Sequence, residues 1–207
     1  MLSRIKTTGM PKVPKVIQKH IRHEDFSPKY REAVRSLHHR IDNANDEIGT
    51  KFWECVKDRK NTIEKLLDRA ERLSKKLEGQ SFPFVLCHSD IHAGNLLLEK
   101  EDVFYLVDWD DPIMAPRERN LMFIGGGVGN VWNRPHEEEL FYEGYGKIEL
   151  NPVLLSYYRH ERFLEDIAEY AEMLLMQDRA AMYQQFVTMF EPNGVVDIAL
   201  KGYGCET

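Results

Sequence analysis

Along residues 27–77 the apolar positions recur at helical spacing. Tyr30, Val34, Leu37 and Ile41 share one face of a first helix, with Ser27 as N-cap and Pro28 in its first turn. After a polar break at 43–46, which Asp46 can close as a cap, Phe52, Val56, Ile63, Leu66, Leu67, Ala70, Leu73 and Leu77 predict one long amphipathic helix. Lys and Arg fill its other face, the apolar seam is too short and irregular for a coiled coil, and Gly79 ends it. The pattern then changes. Apolar runs at 84–87, 96–98 and 103–107 have strand length and are separated by polar turns. The second and third, joined by the charged turn 99–102, predict a hairpin. Beyond residue 116 the helical period returns. A short helix over 116–124 leads into a glycine-rich connection at 125–129, and another helix over 135–145 opens on Glu137, Glu138 and Glu139. Asn151-Pro152 starts a longer helix. It turns Leu154, Leu155, Tyr158, Phe163, Ile167, Tyr170, Leu174 and Leu175 inward and Glu161, Glu165, Asp166, Glu169 and Glu172 the other way. A helix at about 177–190 and a last short one within 194–204 complete the chain. The class is α+β and mostly α-helical.

Charge adds an asymmetry that the apolar pattern hides. Residues 1–80 hold 19 Lys and Arg against 12 Asp and Glu, while residues 81–207 hold 9 against 22. The acidic part repels nucleic acid and attracts cationic ligands, although acidic helices also serve simple solubility. The basic first 28 residues, interrupted by Pro11, Pro14 and Pro28, read as a loop laid over a lobe, because no basic-aromatic interleaving marks a nucleic-acid arm. No apolar run approaches the ~20 residues of a membrane span, and the start lacks a signal-peptide core. Cys55, Cys87 and Cys205 are an odd number without metal spacing, which predicts a reduced, cytoplasmic protein.

The chemistry concentrates in 84–112. The first strand delivers His88, Ser89 and Asp90 to a turn, Asn95 opens the hairpin, and Asp108 closes it. The hairpin's open end therefore brings Asn95 and Asp108 side by side, with Asp90 just before them, at one end of a small sheet. The pattern H-x-D-x-x-x-x-N followed by a later Asp suits phosphoryl transfer from a nucleotide. The first Asp accepts the proton of the attacking hydroxyl, and the Asn and the later Asp hold magnesium against the phosphates. On this reading Asp90 is catalytic, Asn95 and Asp108 bind the Mg²⁺-nucleotide, Asp110 assists a second ion, and His88, Ser89 and His92 support the loop. A metal-dependent hydrolase is the rival, with His88, Asp90, His92 and Asp108 as ligands, though zinc sites of that kind want further His downstream. A carboxylate at a strand end can also merely cap a helix. The glycine run at 125–129 is a weak phosphate cradle, because no G-K-S/T follows it.

Together His88, Asp90, His92 and Asn95 resemble the loop H-G-D-x-H-x-x-N of the aminoglycoside phosphotransferase family, with Ser89 in place of the usual Gly. The run V-D-W-D-D-P-I, residues 107–113, is similar to its spectinomycin-phosphorylating branch. Choline, homoserine and fructosamine kinases share the core motif. The resemblance implies a protein-kinase-like carboxy-terminal lobe whose small β-hairpin carries the catalytic and metal loops. It also implies Mg²⁺ and ATP or GTP as cofactors, and a small cationic acceptor such as an aminoglycoside or aminocyclitol. In that family 117–119 anchors the metal loop, so Arg117, Glu118 and Arg119 are structural. No glycine-rich G-x-G-x-x-G turn and no V-A-I-K-type lysine precede the motif, so residues 1–207 are expected to form that lobe alone, without the amino-terminal nucleotide lobe. A partner supplying that lobe, self-association, a truncated remnant and a non-catalytic binding module remain open alternatives.

Overall fold

The computed structural model describes residues 21–37, 46–99, 103–127, 134–146, 148–173 and 179–202. The expectations for the first 20 residues, Ile41, the middle of the turn 99–102, the end of the glycine run, Leu174, Leu175 and Cys205 lie outside these.

The helix with the widest packing is α6 (Pro152–Met173), so the fold is best built outward from it. Asn151 starts it as expected, its Oδ1 accepting from the N–H groups of Val153 and Leu154 at 3.0 and 3.2 Å. Helix α3 (Lys60–Leu77) lies along it, and α1 (Lys29–Ser36), the short α4 (Glu118–Leu121), α7 (Arg179–Thr188) and α8 (Val195–Lys201) also pack on it. Helix α2 (Glu47–Asp58) rests on α7, and α5 (Pro135–Tyr145) has the bounds its pattern predicts. One apolar cluster joins Val34, Phe52, Leu66, Phe163, Ile167 and Phe186; a second joins Leu73, Leu77, Met122, Phe123, Tyr157 and Tyr158. Each such side chain contributes about 1.5–3 kcal/mol by leaving water.

Three expectations need correction. The long helix over 46–77 is two helices, because Arg59 leaves helical geometry at φ −101°, ψ 10°. Six polar residues separate Val56 from Ile63. Within that gap the Arg59 guanidinium sits 4.9 Å over the Phe190 ring and 3.1 Å from Cys55 Sγ. The break lets α2 aim Phe52 at Phe186, ring centroids 4.7 Å apart, while α3 follows α6. Both outer ends form as predicted: Asp46 accepts from Gly49 N at 2.8 Å, and Gly79 takes φ +72°.

The single small sheet is in fact two. Strands β1 (Arg22–His23), β5 (Ile113–Ala115) and β2 (Val85–Cys87) form one in the order β1-β5-β2, with β5 parallel to β1 and antiparallel to β2. Strands β3 (Leu96–Leu98) and β4 (Phe104–Leu106) form the predicted hairpin separately, with Leu96 opposite Leu106. β5 is buried at all three positions, so it lacks the alternation by which a strand is recognised.

The acidic face of α6 is not a solvated face at its centre. Glu161 is buried and Glu165 and Asp166 are half-buried, because α1 and the segment after β2 pack against that side. Only Glu169 and Glu172 are exposed among the five carboxylates.

Candidate active site

Strand β2 ends at Cys87, and the chain turns sharply at Ser89, whose φ of +72° costs a residue with a Cβ about 1–2 kcal/mol. Several contacts hold the turn. Asn120 Oδ1 accepts from the N–H groups of His88 and Ser89 at 2.8 and 3.3 Å. Arg119 Nε donates to Ser89 Oγ at 3.0 Å, and its guanidinium pairs with Glu24 at 3.6 Å. The serine that stands where glycine is usual thus gains a partner that glycine could not have. Glu118 is buried and accepts from Asn151 N at 2.9 Å, so this segment is tied to the start of α6.

His88 crosses from this turn to the hairpin. Its Nε2 lies 2.7 Å from the Val107 carbonyl, which can only accept, so the proton sits on Nε2. Nδ1 is left to accept the Asp90 N–H at 3.3 Å. The ring packs edge-on against Trp109, centroids 4.6 Å apart. The imidazole is a brace between the loop that carries Asp90 and the strand end that carries Asp108.

Asp90 is surrounded by donors. Asn95 Nδ2 donates to its carbonyl at 2.9 Å and to Oδ2 at 3.2 Å; His92 Nε2 lies 3.4 Å from Oδ2, and Arg162 Nη1 lies 3.4 Å from Oδ1. His92 first, then Arg162 and Asn95, hold its carboxyl below the usual range against the opposing effect of burial. An ionised carboxylate in a fixed orientation is what a proton acceptor for a hydroxyl requires.

The other side of the motif is more open. Val107 N donates to the Asn95 carbonyl at 3.0 Å, extending the β3–β4 ladder by one step. Asn95 and Asp108 therefore flank the hairpin's open end. Both partners of the Asn95 amide nitrogen are oxygens, so its amide oxygen is the atom left for a ligand. Asp108 is exposed and takes φ +67°. An amide oxygen and a carboxylate are hard donors that suit magnesium, which keeps several waters, and do not suit zinc. Asp110 is exposed two residues on, and no hydrogen bond or ion pair ties it to Asn95 or Asp108. Among the described residues no three His, Cys, Asp or Glu side chains cluster as a metal site. The hydrolase reading also lacks its imidazole ligands: both His88 nitrogens are engaged, and His92 Nδ1 accepts from Gly94 N at 3.1 Å while Nε2 faces Asp90.

Two site residues escaped sequence reasoning. Asn120 carried no signal, being one polar residue in a short helix. Arg162 carried a faint one, as a lone cation three and four positions before Glu165 and Asp166 in an acidic stretch. It pairs with Asp166 at 3.0 Å and Glu165 at 3.9 Å and lies 5.6 Å over the Phe123 ring. Burial pushes the Asp166 carboxyl up to about 7 against the pull of Arg162. Immediately before Arg162, Glu161 pairs with the buried Arg31 of α1 at 3.1 Å.

The chain is similar to known proteins. Residues 13–146 match the model of the phosphotransferase enzyme family. The crystal structure of spectinomycin phosphotransferase APH(9)-Ia with ADP and spectinomycin is 50% identical, with a TM-score of 0.84, over 91% of this chain and 59% of that one. Its AMP-bound complex is also 50% identical, with a TM-score of 0.86, over 94% of this chain and 61% of that one. The chain thus spans about three fifths of the length of these relatives. No curated protein matches it.

Proposed function

We propose, from the premise that this chain belongs to the phosphotransferase enzyme family, that its site phosphorylates a hydroxyl of a small cationic acceptor of the aminocyclitol class. The donor in this reading is ATP, in keeping with the ADP and AMP complexes of the relatives, and spectinomycin is the first acceptor to try. The chain corresponds to the catalytic, acceptor-binding carboxy-terminal lobe. The carrying observation is the placement of Asp90: an ionised carboxylate, hydrogen-bonded by Asn95, beside a hairpin end flanked by Asn95 and Asp108.

Each residue then has a task. Asp90 orients the acceptor hydroxyl and takes its proton. Asn95 and Asp108 hold magnesium, whose charge offsets that of the phosphate oxygens. Exposed Asp110, two residues after Asp108, assists a second ion. His88, Ser89 and His92 hold the loop. Exposed Glu169 and Glu172, further along α6, add negative charge that favours a cation. Cys55 and Cys87 are buried free thiols, which accords with a reducing cytoplasm, and no helix among the described residues is long and apolar enough to cross a membrane.

Incubating the chain, completed by the amino-terminal nucleotide lobe of the matched spectinomycin phosphotransferase, with ATP, magnesium and spectinomycin and following the acceptor's mass tests this. A gain of one phosphoryl group is expected. Unmodified spectinomycin at saturating ATP contradicts the assignment and leaves the binding-module alternative.

A further inference from the structure

The two oxygens of Asp90 have different surroundings. Oδ1 is shut off from solvent and faces the Arg162 guanidinium at 3.4 Å, although the side chain as a whole is 30% exposed. Oδ2 lies on the side of Asn95 and His92, toward the hairpin end. The group that holds Oδ1 comes from outside the loop, on α6.

Arg162 is itself held. Asp166 and Glu165, one turn further along α6, pair with it at 3.0 and 3.9 Å, and Phe123 lies beneath its guanidinium. Its helix is 22 residues long and supplies Phe163, Leu164 and Ile167 to the core. A cation at that point is therefore fixed relative to the most densely packed part of the molecule. Asn95 and His92, by contrast, belong to the same loop as Asp90 and move with it.

Resting on the phosphotransferase reading, we infer that Arg162 is a positioning residue: it anchors Oδ1 of Asp90 to α6 so that Oδ2 is presented to the acceptor hydroxyl. Asp166 keeps the guanidinium in place and acts one contact further back. The guanidinium touches neither acceptor nor nucleotide; it acts through Asp90. Displacement of a reacting group by about 1 Å costs on the order of 10²-fold in rate, so an anchor of this kind has a large effect on turnover and a small one on binding.

The test uses the same two-lobe protein with ATP, magnesium and spectinomycin, comparing the unaltered protein with Arg162→Gln, Arg162→Lys, Asp90→Asn and the double variant Arg162→Gln with Asp90→Asn. Rates are expressed per acceptor-binding site, counted by calorimetric titration, so that unfolded protein does not pass for slow protein. Arg162→Gln is expected to lower kcat about 10- to 100-fold while KM for the acceptor moves by less than about threefold. Arg162→Lys restores kcat to within about fivefold of the unaltered protein, and in the Asp90→Asn background Arg162→Gln has no further effect, because the two act as one unit. A loss that vanishes on counting active sites, or one equal in both backgrounds, overturns the inference while leaving the phosphotransferase reading intact. Absence of transfer by the unaltered two-lobe protein overturns that reading, and this inference with it.

Discussion

The loop from His88 to Asn95 and the hairpin that follows it are adjacent in sequence and unlike in surroundings. His88, Ser89 and Asn95 are 3, 7 and 8% exposed, whereas Leu97, Leu98 and Trp109 are 54, 84 and 43% exposed. Each region contains one non-glycine residue with positive φ, Ser89 at +72° and Asp108 at +67°. At Ser89 the strain is over-determined by Asn120 and Arg119. At Asp108 no comparable set of side-chain bonds holds it. Strain of this kind persists where surroundings enforce it, so the carboxylate proposed for the acceptor is arranged by the protein itself. The carboxylate proposed for the metal is left for a ligand to complete.

That contrast can be broken most forcefully at Asp90. Asp90→Ala is expected to slow phosphoryl transfer by about 10²–10⁴-fold, the usual share of a general base, with ATP affinity little changed; a coupled ATP-consumption assay reads this directly.

A background common to both regions comes next in size and must be removed before their stabilities are compared. His160 of α6 is fully buried, its Nδ1 2.7 Å from the Ser156 carbonyl, and burial lowers its pKa to about 4. A group depressed below its unfolded value contributes stability that is complete above about pH 6.5 and is lost as pH falls through 4, at most about 3 kcal/mol. Urea melts at pH 7 and pH 4 are expected to show this drop, and His160→Gln to shrink it.

Asn120→Ala then probes the braced region. It leaves the His88 and Ser89 N–H groups without their acceptor, at a cost of about 1–3 kcal/mol. Leu98→Ser probes the open region, and its effect is expected to stay within about 0.5 kcal/mol, as for other surface positions. Chemical melts of the two variants at pH 7 sharpen the contrast if they differ as stated; equal losses would remove it.

The hairpin, the caps at Asp46 and Asn151 and the order Asp90, Asn95, Asp108 were legible because each rests on local rules: turn chemistry, capping and spacing along one stretch. The break at Arg59 showed in the sequence only as six polar residues between Val56 and Ile63, and the contact with Phe190 that accompanies it lies more than a hundred positions away. Strands β1 and β5 were hidden for a similar reason. Two or three residues show no period, and their pairing is decided across the chain, Arg22 with Ile113 and Cys87 with Ile113. The acidic face of α6 misled because helical periodicity locates carboxylates on a face without saying what meets that face. Arg162, the residue through which α6 reaches Asp90, belongs to the same gap. Family resemblance found the motif in the sequence; the braces around it became visible only with the fold.

Asp90 is proposed to serve the acceptor and Asp108 the metal-bound nucleotide, and one calorimetric comparison separates those tasks. ADP binding is measured with and without magnesium for the two-lobe protein, unaltered and with Asp90→Asn or Asp108→Asn. The predicted result is that Asp108→Asn weakens magnesium-dependent ADP binding by at least about tenfold, while Asp90→Asn keeps it within about twofold because it has no contact with the phosphates. Equal weakening by both substitutions, or none from Asp108→Asn, would contradict the division.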